Sequence, residues 1–199
     1  QLASKIVGKP FFKGKEQRMS QEEMEYAMEF IENHFVFQDH QAGSPFTIEG
    51  ILDFASSSLL RANTSILVID PFNFIDIKQG NQLLTEAINK MLTKTSQWAK
   101  QTQSIVMFVA HPAKPQDRGQ KVATGLDISG SISWYTKADF LLSIARNDYD
   151  TEVHVQKVRW NFQGTQGVAK LRYDLDSGRF GELTEDIGFD KDYEWTTDF

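Results

Sequence analysis

The sequence contains no cysteine. A disulfide framework, a thiolate zinc site and a cysteine nucleophile are therefore excluded, and the composition fits a reducing interior, the cytoplasm by default. Long apolar runs are also missing. The longest, such as Ile105 to Ala110, span a few residues, whereas a membrane-crossing helix needs roughly 20. No signal-type N-terminus is visible. The chain opens on Gln1 rather than methionine, inside a stretch that reads as a helix from Gln1 to Val7, and is expected to be a fragment. Several chemical motifs are absent too. Gly8-Lys9 is followed by Pro10 and Gly14-Lys15 by Glu16, so neither completes a GxxxxGK loop with the Ser or Thr that Mg²⁺ requires. HExxH, GxSxG and GxGxxG do not occur, which excludes a zinc hydrolase of that type, a nucleophile elbow and a dinucleotide fingerprint.

What is present suffices for one sizeable core: 199 residues, 40% hydrophobic and 12% aromatic. The net charge of −6 argues at first against a polyanionic partner. Its distribution reverses that argument. Residues Glu182 to Phe199 hold seven acids and one lysine, so the preceding 181 residues are neutral overall. Between Ser104 and Tyr173, nine Lys/Arg face six Asp/Glu, concentrated in loops, which allows a local basic surface.

Helix signals open the chain. Ser20 and Glu23 form a capping box, with Met19 and Met24 as its hydrophobic staple. Met24, Ala27, Met28, Ile31 and Phe35 follow at helical spacing and predict one buried face. Thr47 is an N-cap for a helix carrying Ile48, Ile51, Leu52, Ala55 and Leu59. A longer helix is predicted from about Gly80 to Gln101. It separates two apolar segments, Ser65 to Asp70 and Ser104 to Ala110, that lack alternation and so read as fully buried parallel strands. The centre is thus a βαβ unit, and the fold class is α/β with a mainly parallel sheet. Phe35-Val-Phe37 and Ala138 to Ile144 are predicted as further strands, followed by strands at Thr151 to Arg159 and Val168 to Asp174 and a terminal hairpin turning at Asp176-Ser-Gly178.

In open α/β sheets ligands gather at the carboxyl ends of strands. The two buried segments end in Asp70-Pro71-Phe72-Asn73 and His111-Pro112. A carboxylate at that lip is the hard oxygen ligand a Mg²⁺-nucleotide needs. An aspartate after a strand also commonly caps a turn, and a histidine there is more often a satisfied turn residue. Pro112 to Gly130 is as long as structureless loops become in compact domains, and such loops are usually functional or disordered. Lys114, Arg118 and Lys121 make it basic, and Gly119 and Gly125 are expected to leave it flexible. Three cations in a polar loop are also consistent with simple solvation. Lys157 and Arg159 flank Val158, so on a strand they share a face; on the pattern alone they read as solvated strand residues.

Val68-Ile-Asp-Pro-Phe-Asn73, Val109-Ala-His-Pro-Ala-Lys114, Asp127-Ile-Ser-Gly-Ser131 and Val155-Gln-Lys-Val-Arg159 occur together and in order. In this the chain resembles the RecA-like motor domain of ring-forming replicative DNA helicases, such as phage primase-helicases, Twinkle and DnaB-type enzymes. The resemblance runs from Val7 to Arg179. It implies an ATP-dependent helicase with ATP and Mg²⁺ as cofactors, working as a homo-oligomeric ring, a hexamer, on single-stranded DNA. It implies that Asp70 holds Mg²⁺, that Asn73 lies in the same nucleotide motif, and that His111 senses the γ-phosphate. Lys157 and Arg159 would face outward to the nucleotide of the adjacent subunit, Arg159 as an arginine finger. Lys114, Arg118, Lys121, Gly130 and Ser131 would grip the DNA backbone. The family's Walker A loop and catalytic glutamate lie upstream of the segment resembling Gln1 to Val7, so this chain alone is expected not to hydrolyse ATP. Some phage relatives also carry a glutamine near the position of Thr136. Residues 1–181 are expected to form the C-terminal part of the motor domain and residues 182–199 an acidic tail. Two other readings stay open: a RecA-like ATPase of recombination or plasmid maintenance, and a non-catalytic α/β interaction domain.

Overall fold

The computed structural model describes residues 1–12, 17–38, 46–77, 83–112, 122–128, 132–147 and 150–183. The chain divides into two compact units. One comprises Gln1–Asn33, Ile144–His154 and Gly167–Phe199; the other comprises His34–Ser143 and Val155–Gln166.

In the first unit, helix α1 (Leu2–Val7) and helix α2 (Gln21–His34) pack through Ala3, Met19 and Ala27. The predicted capping box forms: Glu23 N donates to Ser20 Oγ at 3.2 Å and Ser20 N donates to Glu23 Oε2 at 2.7 Å. Two orphan amides at the helix start are thereby satisfied. The buried face is narrower than the sequence predicts. Met24 and Ile31 pack against the small cluster, but Met28 and Phe35 are exposed, and α2 stops before Phe35. The C-terminal hairpin of this unit is also present, with strand β5 (Gly167–Tyr173) antiparallel to strand β6 (Phe180–Glu182). Arg179 caps α1, donating from Nε to Lys5 O at 2.6 Å and from Nη2 to Ile6 O at 2.9 Å.

The second unit carries the main core. Helix α3 (Ile48–Ala62) starts at Thr47, whose Oγ1 accepts from Gly50 N at 3.2 Å. Strand β1 (Ile66–Ile69) pairs in parallel with strand β2 (Ile105–Phe108), and helix α4 (Leu84–Thr102) connects them as the sequence predicts. Ile51, Ile69, Ile88, Met91 and Trp134 are among the residues buried between helices and sheet. Trp98 Nε1 donates to Ser56 Oγ at 2.8 Å, tying α4 to α3.

The prediction that both strands are fully buried is not met. Leu67, Ile69, Val106 and Phe108 face the core, while Ile66, Val68, Ile105 and Met107 on the opposite face are each at least 50% exposed. Apolar residues on both faces conceal the period of two, although only one face is covered among the described residues. The predicted strand at Phe35-Val-Phe37 also does not form. These residues lie in an irregular, exposed segment, with the rings of Phe35 and Phe37 stacked at 6.0 Å. Strand β3 (Phe140–Arg146) and strand β4 (Thr151–Val158) precede β5 and β6 in a four-stranded sheet of order β3-β4-β5-β6. The predicted acidic tail lies outside the described residues from residue 184 onward.

Candidate functional site

The two parallel strands end level with each other. Val109 N donates to Ile69 O at 2.9 Å and Phe72 N donates to Val109 O at 3.0 Å, so the ladder continues past both strands. Asp70 and His111 leave this one end of the sheet. Both are exposed, and neither carboxylate nor imidazole has a hydrogen bond or ion pair among the described residues. The Asp70-Pro71 bond is cis, and Phe72–Phe74 forms a single 3₁₀ turn that leaves Asn73 exposed on the same segment. Below the lip, Phe72 and Phe108 pack on Trp134 with ring centroids 4.6 and 5.4 Å away.

A bridge between Pro112 and Ile128 joins the start of the predicted basic loop to a point near its far end, directly beside His111. Lys114, Arg118, Lys121, Gly130 and Ser131 lie outside the described residues. The part that is described, Val122 to Ile128, is held firmly. Gln156 on β4 donates from Nε2 to Ala123 O at 2.7 Å and accepts from Gly125 N at 2.9 Å. Asp127 Oδ2 accepts from Thr124 N at 2.6 Å and from its hydroxyl at 2.9 Å, and the backbone bond, then the hydroxyl, lowers its carboxyl below the ordinary value. Gly125, predicted to confer flexibility, is instead buried against Leu141. The glycine is there because the backbone approaches another side chain closely.

Lys157 and Arg159 converge, as residues flanking Val158 on one strand should. Helix α5 (Ser133–Lys137) presents its last carbonyls to both. Lys157 Nζ donates to Tyr135 O at 2.6 Å and Thr136 O at 3.2 Å, and lies 5.3 Å from the Tyr135 ring centroid. Arg159 Nη2 donates to Thr136 O at 3.1 Å and Lys137 O at 3.0 Å, while Nε pairs with Asp139 Oδ1 at 3.0 Å. Both cations thus turn back onto their own chain, with Arg159 remaining exposed. Cations at a helix C-terminus satisfy orphan carbonyls and meet the negative end of its dipole. Desolvation lowers the Lys157 ammonium below its usual range; the Arg159 charge adds to this and Asp139 opposes it.

Trp134 is the residue that sequence reasoning missed. It is buried, it touches the aromatic residues at the sheet end, and over the next three residues its helix presents the carbonyls that hold the cations. A tryptophan within so short a helix carried no periodic signal, because five helical residues are too few to show one.

Metal binding fits this lip in one form only. Among the described residues no group of three or more His, Cys, Asp or Glu could hold an ion. A lone unpaired carboxylate suits Mg²⁺ that takes most of its ligands from phosphate and water, and does not suit an all-protein cage.

No protein-family model matches the chain. Among solved structures, one ATPase domain superposes with a TM-score of 0.72 at 16% identity, covering 92% of this chain and 69% of that one. A DnaB-like replicative helicase, solved with regard to its interactions with primase, gives 0.70 at 17%, covering 92% and 48%. The fold is therefore that of a RecA-like ATPase domain. The chain also resembles a longer protein in sequence. It is 31% identical over 193 residues to the Twinkle homolog protein, chloroplastic/mitochondrial, of Arabidopsis thaliana, covering 91% of this chain and 27% of that protein. The chain spans 27% of the length of this relative. Among the described residues no helix is long and apolar enough to cross a membrane.

Proposed function

We propose that this chain is part of the motor of an ATP-dependent DNA helicase of the primase-helicase type, acting in the cytoplasm or an equivalent reducing compartment as a hexameric ring around single-stranded DNA. The supporting geometry is the path from the sheet end to the cation pair. Asp70 and His111 leave one sheet end, Trp134 packs beneath it, and the same short helix holds Lys157 and Arg159.

In this reading Asp70 holds Mg²⁺ and Asn73 lies beside the nucleotide. Bound Mg²⁺ would neutralise charge on the terminal phosphates. His111, with a ring that has no partner among the described residues, senses the γ-phosphate. Because the Pro112–Ile128 bridge is adjacent to it, a shift at His111 is delivered to the base of the basic loop. Lys114, Arg118, Lys121, Gly130 and Ser131 grip the phosphate backbone through contacts that are independent of sequence and sensitive to salt. Lys157 and Arg159 address the nucleotide of the neighbouring subunit. Residues 1–181 belong to the motor, residues 182–199 form an appended acidic tail, and the chain on its own does not turn over ATP.

The test is Arg159→Ala in the full-length protein. Loss of the finger is expected to lower DNA-stimulated ATPase on the order of 10³-fold or more while leaving nucleotide affinity nearly unchanged. Near-normal turnover would refute the assignment. A strand-displacement assay on the same protein separates a helicase from a recombination or plasmid-maintenance ATPase, which would hydrolyse ATP without unwinding duplex.

A further inference from the structure

We propose that Asp139 is a positioning residue that sets the orientation of the Arg159 guanidinium. The inference rests on the reading of Arg159 as the group that contacts phosphate. Asp139 immediately precedes β3 and Arg159 immediately follows β4, so the sheet brings the two together. Two attachments join them. Arg159 N donates to Asp139 O at 2.9 Å, and Arg159 Nε pairs with Asp139 Oδ1 at 3.0 Å.

The guanidinium is planar, with donors in fixed directions, so engaging two of its nitrogens determines where the third points. Nη2 is taken by the Thr136 and Lys137 carbonyls. These carbonyls alone would tolerate rotation about the contact, because they cluster at a single nitrogen. The carboxylate at Nε supplies the second point and fixes the plane. Nη1 is left without a hydrogen bond among the described residues, as the edge offered to an incoming phosphate oxygen.

Asp139 also offsets the crowding of two cations. Lys157 and Arg159 share the Thr136 carbonyl, and the Asp139 charge opposes the effect of Arg159 on Lys157. The pair is not a folding device. Its side chains are 33% and 56% exposed, and exposed ion pairs contribute little to stability. Its effect is directional, and small misplacements of a charge-stabilising group are costly in rate.

The experiment compares Asp139→Asn, Asp139→Glu, Arg159→Ala and the Asn/Ala double variant in the full-length protein, with saturating single-stranded DNA. Asp139→Asn is expected to lower kcat about tenfold with KM for ATP unchanged within about twofold. Asp139→Glu should recover most of that loss, and the double variant should be no slower than Arg159→Ala alone. An unchanged kcat in Asp139→Asn, a further loss in the double variant, or an equal loss in the Asn and Glu variants with a lowered melting temperature would each overturn the proposal. Full activity of Arg159→Ala would instead remove the phosphate-contact reading on which the proposal stands.

Discussion

Gly125 leaves no space for a side chain. A Cβ there would stand 2.2 Å from Leu141 Cδ1, and the bond from its amide to Gln156 keeps the backbone from retreating. Gly125→Ala is expected to destabilise the chain by about 1–3 kcal/mol through overpacking. A urea titration would show this as a lower midpoint with an unchanged slope; an unchanged midpoint would mean that Leu141 yields freely. The sequence could not reveal this contact, since a glycine in a long loop looks the same whether it confers mobility or closeness. Asp70 and His111 were legible because an apolar run ending in a polar residue and proline is a local signal. The own-chain anchorage of Arg159 was not, because Thr136, Lys137 and Asp139 reach it only through the tertiary pairing of the sheet.

Among the elements, those announced by local chemistry appear where the sequence puts them. Ser20 with Glu23, and Thr47, cap their helices because each bond spans three residues. The capping box also gives α2 a dependence on acidity. The hydrogen bond from Lys9, then the backbone amide of Ser20, holds the Glu23 carboxyl below its ordinary value of 4.5. A carboxyl depressed by folding contributes stability above its unfolded value, and that contribution is lost as pH falls through the folded value. Amide protection in the first turn of α2 is therefore expected to decline as pH drops below 4.5, the ordinary value. Glu23→Gln should flatten that decline in hydrogen-exchange measurements. An identical slope in the variant would place the acid sensitivity elsewhere, with Glu49 and Asp127, also depressed, as further sources to test.

For the whole molecule, the α/β class was readable from the apolar segments flanking a long amphipathic helix. The division into two units was not, because the chain passes between them repeatedly and no linker composition marks the crossings. The unequal faces of the β1–β2 sheet make a quantitative expectation for this chain. Val68→Thr and Met107→Gln should each change stability by less than about 0.5 kcal/mol, as surface changes do. Ile88→Ala, in the closed core, should cost about 2–5 kcal/mol. Chemical denaturation of the three variants checks the contrast; comparable losses would show that the sheet face is covered in solution.

The Pro112–Ile128 bridge has a consequence for tinkering. A span whose two feet share one stone can be made longer or shorter without moving the bank, and doubling such a span costs only about 0.6 kcal/mol of closure entropy. The number of residues between the two feet is thus free to change while the floor beneath stays as it is.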